Sequence, residues 1–541
     1  MSKRIAALML CCISVITFTA CKKETAGGGE DTASPSITEE DRSNSASDTP
    51  SGDQPAGSEG TPASAGDTLN VAISGDSGTL VPSKITGNFV GVVRQYMEVL
   101  VDYKSDGTPV WLLATDIEEV STSQWIIHCR EGVTFSNGNA FDAKDVWFTF
   151  EYYLNDPMSA NFLTCLDMGN SKIIDDYTID LALSSYSMQQ MGSLSQIYIL
   201  DSESFDEEDF VMNPVGTGPY VVDEYVVNSH LYMKANPDYW GEKALIENLN
   251  YKVFNEDAQI VTALQTGTVD VSAIPAQDVE FAKTLSGYNV ESYHTVFAAT
   301  MTFNLNPVSV MNNLDARLAV CYAVDRDAMV DLVYFGNATK LDYPVSMYCL
   351  DYTPELGNLH PTYSVGRDIE RAKEHAEKAG LVGKDIVVIT NGSTAYITEA
   401  EILQANLKEI GVNVIINNYD AASYFTVTQD PAMYDISLYA AASPQGYAVG
   451  MLYDYVLWGA AQYAEGWPGY DTYLKLGADA VANPDPESRK ETLLEMSRMF
   501  VEITPWYGLC DQTASLAINE ELGGVEIWNS GGLRFAEWYW R

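Results

Sequence analysis

The pattern of apolar and polar positions changes character near residue 20 and again near residue 67. Ile5 to Phe18 is an apolar stretch broken by Ser14 and Thr17, with Lys3 and Arg4 ahead of it. Such a stretch is too short for an ordinary spanning helix and reads as a secretory leader, residues 1–20. Residues 21–66 then contain no aromatic side chain, and Ile37 is their only large aliphatic. A segment this polar buries too little apolar surface to offset its ordering entropy, so it is expected to be a disordered tether. Its root-mean-square span would be roughly 35–40 Å.

From residue 67 the pattern is that of a folded body, with periods of two and of three to four. Thr68 to Ser74 alternates as a half-buried strand, followed by the glycine-containing loop Gly75 to Pro82. A second unit begins near Met97 to Tyr103 and continues through Gly107 to Ala114, and Gln124 to Arg130 predicts a strand. Asn137-Gly138 suits a tight turn with positive φ. Asp142 is placed to cap a helix carrying Val146, Phe150 and Tyr153 on its inner face. Leu314 to Phe335 reads as one long helix with Leu318, Cys321, Val324 and Leu332 inward. Asp385 to Asn391, Ala395 to Ile410 and Val412 to Asn418 read as strand, helix and strand. Ile402, Leu403, Leu407 and Ile410 fill one face there, and Gly411 ends the helix. Strand–helix–strand with a short turn is the unit of an α/β lobe.

Charge narrows the partners. With 30 basic against 75 acidic residues the formal net charge is −45, and setting leader and tether aside leaves the body strongly acidic. A nucleic-acid partner requires a basic surface and is not expected. The five body cysteines, Cys129, Cys165, Cys321, Cys349 and Cys510, are odd in number and far apart, so neither a disulfide framework nor a zinc site is predicted. Gly-x-Ser-x-Gly, His-Glu-x-x-His and phosphate-loop patterns are absent, and the five histidines are scattered. No cofactor or metal is expected. Carboxylate-based hydrolases have no short fingerprint, so a tethered surface hydrolase stays open as the alternative of another class.

Arg130-Glu131-Gly132-Val133-Thr134-Phe135, Asn137-Gly138 and Phe141-Asp142-Ala143-Lys144-Asp145-Val146 come first in a series of short blocks. Gly216-Thr217-Gly218-Pro219-Tyr220, Asn236-Pro237-Asp238-Tyr239-Trp240 and Gly267-Thr268-Val269-Asp270 follow. Leu314-Asp315-Ala316-Arg317-Leu318-Ala319, Leu407 to Val412, Tyr434-Asp435-Ile436 and Pro505-Trp506 complete it. In this order the blocks resemble the extracellular solute-binding proteins, family 5, the peptide- and nickel-binding receptors of ABC importers. Taken alone, Gly216 to Tyr220 would mark only a turn, with two glycines free to take positive φ. Phe18-Thr19-Ala20-Cys21 likewise resembles a bacterial lipobox, which makes Cys21 the lipidated N-terminus of a membrane-anchored, extracytoplasmic protein.

The resemblance implies an α/β, two-lobed periplasmic-binding-protein-like fold (type II, cluster C) with an extra α/β domain and a hinge over a central cleft. Lobe I is expected from 67–100, 214–295 and 505–541, the extra domain from 101–213, and lobe II from 296–504. It implies a monomer that captures a solute by hinge closure and hands it to ABC permease subunits. The cargo is expected to be an oligopeptide or dipeptide, with an oligosaccharide or nickel chelate as alternatives, and a sensory or adhesive role also open. Cleft candidates are Ser77, Tyr103, Trp111, Asn304, Tyr439, Ser443, Gln445, Tyr447, Trp458, Trp506 and Asp511. Peptide-binding relatives hold the ligand's amino group with an aspartate in a Trp-x-x-Asp segment. Here Tyr439 to Ser443 supplies no acid at that place, which leaves Asp454 or Asp511 to substitute.

Overall fold

The computed structural model describes residues 67–85, 90–104, 106–156, 159–442, 446–528 and 532–541. The leader, Cys21, the tether, Ser443 and Gln445 lie outside them. A mixed sheet of eleven strands organises the body. In one half, Thr68–Ser74 pairs in parallel with Asn248–Phe254 and Val271–Ile274, and His230–Ala235 and Tyr220–Val226 extend the sheet antiparallel. In the other half, Asp385–Thr390 pairs in parallel with Asn413–Asn418 and Ile436–Ala441.

Two long antiparallel strands, Tyr288–Phe303 and Trp506–Asn519, belong to both halves. Their ladder runs from Tyr288 opposite Asn519 to His294 opposite Thr513, breaks, and resumes at Ala298 opposite Asp511. At the break the Thr295 hydroxyl donates to Gln512 O at 3.0 Å. An interrupted register bends a strand and raises its local twist, so Thr295 to Phe297 marks a kink between the two halves, where Phe297 N donates to the Thr295 hydroxyl and Thr295 O accepts from Ser346.

Hydrophobic cores lie to either side of that break. Leu69, Leu231, Ile246 and Leu249 centre the first, which we call lobe I. Met301, Ile386, Leu403, Leu438 and Phe500 belong to the core of lobe II. An extra domain has its own, where Trp125, Ile127 and Ile179 of a four-stranded antiparallel sheet meet Val146, Phe150 and Tyr153 of the helix Ala143–Asn155. Alternation builds that sheet, since Trp125, Ile127 and Cys129 of Gln124–Cys129 are buried while their neighbours are not.

Asp142 caps its helix, and Asp145 returns a bond to the Asp142 N–H, closing a capping box. The expected long helix from Leu314 is two helices, Leu314–Ala323 and Arg326–Leu332. Val324 takes extended backbone and the Asp325 side chain accepts from Ala328 N, starting a new helix in a new direction. Leu332, expected inward, is consequently 61% exposed.

The motif blocks turn out to be joints. Gly216 and Gly218 do not need positive φ, contrary to expectation. They are glycines because the chain crosses the end of the helix Val90–Tyr96, where a Cβ at Gly216 would lie 2.0 Å from Tyr96 O and one at Gly218 2.5 Å from Tyr96 C. Gly218→Ala is therefore expected to cost about 1–3 kcal/mol or more, since backbone cannot yield as a side chain would; urea unfolding measures it. Asn236 Nδ2 ties back to Gly218 O, while the Tyr239 hydroxyl and Trp240 indole donate to buried Glu98. Asp270 takes bonds from Asn70 and Asn519, stitching three strands. Arg317 donates to Ile503 O, the last carbonyl of the helix Pro486–Ile503, and to Met311 O and Asn312 O. Lysine has no such fork, so Arg317→Lys is expected to lower the melting temperature by several degrees, read by calorimetry.

Candidate functional site

The candidate site is where lobe II faces the extra domain near the two crossing strands. Its lobe II wall is aromatic. Tyr439, opposite Thr300 in the ladder, stacks on Tyr455 with ring centres 5.6 Å apart and planes 16° from parallel. Tyr455 also meets Trp458 at 5.1 Å and Trp506 at 6.3 Å. Three sequence candidates thus gather around a tyrosine that sequence reasoning missed. Tyr455 was legible only as one of 33 tyrosines.

Two candidates turn out to be packing residues rather than cleft-facing ones. Asn304 is fully buried, and its Nδ2 donates to Pro431 O and Tyr434 O, both at 2.7 Å. Trp506 is 1% exposed, stands edge-on to Phe500 at 4.5 Å, and donates its indole N–H to Pro344 O. In each case the side chain completes the local backbone bonding of lobe II.

Tyr103 and Trp111 lie half-buried on the hairpin Val101–Tyr103 and Pro109–Trp111. Tyr103 faces Tyr447, and burial followed by that neighbour raises its phenol pKa beyond the usual range. On the same hairpin a Cβ at Gly107 would lie 3.0 Å from Leu350 Cδ2 of lobe II. Ser77 is half-buried in the loop after the first strand, beside Asp76, which accepts from Gly78 N and Asn228 N.

Acids dominate the electrostatics. Asp511 is fully buried on the crossing strand. Met347 N donates to its Oδ2 at 3.2 Å, while Oδ1 has no hydrogen-bond partner. The nearby Ser346 hydroxyl favours the ionised form but is turned toward Thr295 O at 3.5 Å. Burial wins and pushes the Asp511 carboxyl up to about 7. Asp454 is also pushed to about 7 by burial, opposed by Gln189, whose Nε2 donates to it at 3.2 Å. Asp351 accepts from Ala448 N and Val449 N, so it occupies the N-terminus of the helix Ala448–Trp458. Burial still raises it, opposed by those two N–H groups and by Arg489. Asp351 and Gln189 carried no sequence signal, since their roles depend on which helix end and which domain they meet.

His294 stacks on Tyr348 at 3.9 Å and 11°, spanning the break between the halves of the sheet. Among the described residues no cluster of three or more His, Cys, Asp and Glu is placed to hold a metal ion. Among them, too, no helix is long and apolar enough to cross a membrane.

A mixed sheet shared by two lobes, an extra domain and an aromatic wall between them define the class: an α/β solute-binding scaffold. The family model for bacterial extracellular solute-binding proteins, family 5 Middle, matches residues 108–460. This chain belongs to that family. The nickel-binding periplasmic protein of Escherichia coli K12 is 27% identical over 403 residues, covering 68% of this chain and 74% of its own. NikA from Brucella suis, solved with Fe(III)-EDTA, has a TM-score of 0.76 at 21% identity, covering 88% of this chain and 100% of its own. The ABC transporter-associated periplasmic binding protein DppA from Helicobacter pylori, solved with the peptide STSA, has a TM-score of 0.71 at 21% identity, covering 87% and 98%. The α/β two-lobed fold read from the motif blocks is the fold of these proteins.

Proposed function

We propose that this chain is the receptor subunit of an ABC importer, anchored outside the cytoplasm by a lipid on Cys21, which captures peptides and passes them unchanged to a permease. The observation that carries the reading is the pair of crossing strands with its ladder broken between two separately cored lobes. The lobes rotate as rigid bodies about the kink at Thr295 to Phe297, and solute contacts made with both lobes favour the closed arrangement. Lobe I comprises 67–100, 214–295 and 512–541, the extra domain 101–213, and lobe II 296–511, which takes 505–511 from the expected lobe I because Trp506, Tyr507, Leu509 and Cys510 pack in the lobe II core and Asp511 pairs with Ala298 there. Peptide as cargo draws support from the peptide-bearing relative and from Asp511, a buried acid with an unpartnered Oδ1 that a solute ammonium would complement. Tyr103, Tyr439, Tyr447 and Trp458 provide rings for side-chain contact, with Ser77 and Trp111 as further contacts, and Ser443 and Gln445 are proposed from the sequence alone.

Native mass spectrometry of the purified protein, with identification of what denaturation releases, tests this. A ladder of peptide masses supports the proposal. A hexose-spaced ladder or a metal chelate overturns the cargo, and conversion of offered peptides to fragments overturns the receptor role. For the anchor, Cys21→Ala is expected to move the protein from the membrane fraction to the soluble fraction; retention in the pellet sinks the lipid claim.

A further inference from the structure

The contact between the extra domain and lobe II is built around a carboxyl. Met188 comes from the extra-domain segment, yet its side chain is buried in the lobe II core and its N–H donates to Val481 O at 2.9 Å. Gln189 follows, and its side chain runs across the helix Ala448–Trp458 at a notch. A Cβ at Gly450 would lie 2.0 Å from Gln189 Nε2 and 3.1 Å from Cδ, so the glycine gives the Gln189 amide room to lie in this position. One turn later on the same face stands Asp454, which takes the Gln189 hydrogen bond. Tyr447 and Trp458 continue that stripe to either side.

The surroundings of Asp454 hold no opposing charge among the described residues. Tyr453 is its titratable neighbour on the same helix. From the packed helix Tyr470–Val481, Tyr470 and Tyr473 donate to Val456 O and Leu452 O. Arg489 of Pro486–Ile503 acts on Asp351, Tyr447 and Tyr186 near the start of the helix instead. From the extra domain, Gln189 is the group that meets it.

We propose that Gln189 and Asp454 form the clasp of solute capture: the pair meets when the lobes close, and a proton from solvent joins the Asp454 carboxyl as water leaves it. The proposal rests on the receptor reading for its purpose. Opening returns Asp454 to water and to the ordinary carboxylate range, whereas closure holds it near 7. The closed form therefore binds more protons, and closure is favoured as pH falls. The window runs from the ordinary carboxylate pKa up to about 7, with up to roughly a tenfold change in the closed-to-open ratio per pH unit, and no dependence above it. Asp511 and Glu399 titrate in the same range, but their hydrogen-bond partners Met347 and Tyr334 lie within lobe II, so they act on stability rather than on closure.

Small-angle scattering of the purified protein between pH 5 and 8 tests this, beside Asp454→Asn, Asp454→Glu and Gln189→Ala. The wild type is expected to become more compact as pH falls. Asp454→Asn keeps an acceptor for Gln189 and is expected to lose the pH dependence while staying compact, Asp454→Glu to restore it, and Gln189→Ala to shift the balance toward the open form. A pH response in Asp454→Asn equal to that of the wild type, or none in the wild type, overturns the clasp. Solute retention by mass spectrometry on the same samples decides the receptor reading separately: compaction without any solute at any pH keeps the clasp and sinks the receptor.

Discussion

Trp506→Ala is expected to lower the unfolding free energy by about 3–5 kcal/mol, the range for truncating a buried large aromatic. Trp506 sits where the return strand enters lobe II, paired with Thr302, and its ring fills the space between Phe500 and Tyr455. Truncation leaves a cavity that the flanking backbone cannot collapse into, and strands the Pro344 carbonyl that the indole N–H satisfies. Trp506→Phe is expected to recover most of the packing but not the hydrogen bond. Urea unfolding of wild type and both variants gives the ordering, and equal midpoints for wild type and Trp506→Ala would place the ring outside the core. The effect on solute affinity is expected to follow the loss of structure, since the ring does not face the cleft.

The second large effect is a gain. Asp511→Asn is expected to stabilise the protein at pH 8 by up to about 4 kcal/mol and to leave it nearly unchanged at pH 4. Burial lifts the Asp511 carboxyl in the folded chain to about 7, against an ordinary value near 4 when unfolded. The folded form therefore holds the proton more tightly. The favourable contribution is complete below the unfolded pKa and is lost as pH rises toward 7. Above that the folded state carries a buried charge with no cation beside it. Asparagine has nearly the same shape, can still accept from Met347 N, and never ionises. Melting temperatures from pH 4 to 8 would show the two curves diverging as pH rises; parallel curves would mean that Asp511 is solvated. Glu399 offers a parallel case, buried to about 7 with the Tyr334 hydroxyl as donor and Oε2 unpartnered.

Much of the fold was legible because local rules agree with it. Alternation at Thr68 to Ser74, the cap at Asp142 and the strand–helix–strand unit beginning at Asp385 depend on neighbours a few residues away. The segment from Leu314 reads as one continuous helix because Leu318, Cys321, Val324 and Leu332 fit an apolar period. What breaks it is a cap and a backbone bond from Asp325 N to Asn406 Oδ1, which lies on another helix. The glycines of the Gly216 to Tyr220 block were read as turn formers, whereas their need is room against Tyr96, far away in sequence.

The candidate site was legible in type and only partly in position. Tyr439, Trp458 and Trp506 do meet, but through Tyr455, and Trp506 meets them from inside the core. By itself the sequence determined what short range decides: strands and helices, their caps and apolar faces, the acidic balance, and the ordered motif blocks that mark the family. Only the tertiary structure decided which buried acids lack a counter-charge, where the ladder between the lobes breaks, and that Gln189 reaches Asp454 across Gly450. Those are matters of desolvation and of contact between residues hundreds of positions apart, and neither quantity exists until the chain has folded.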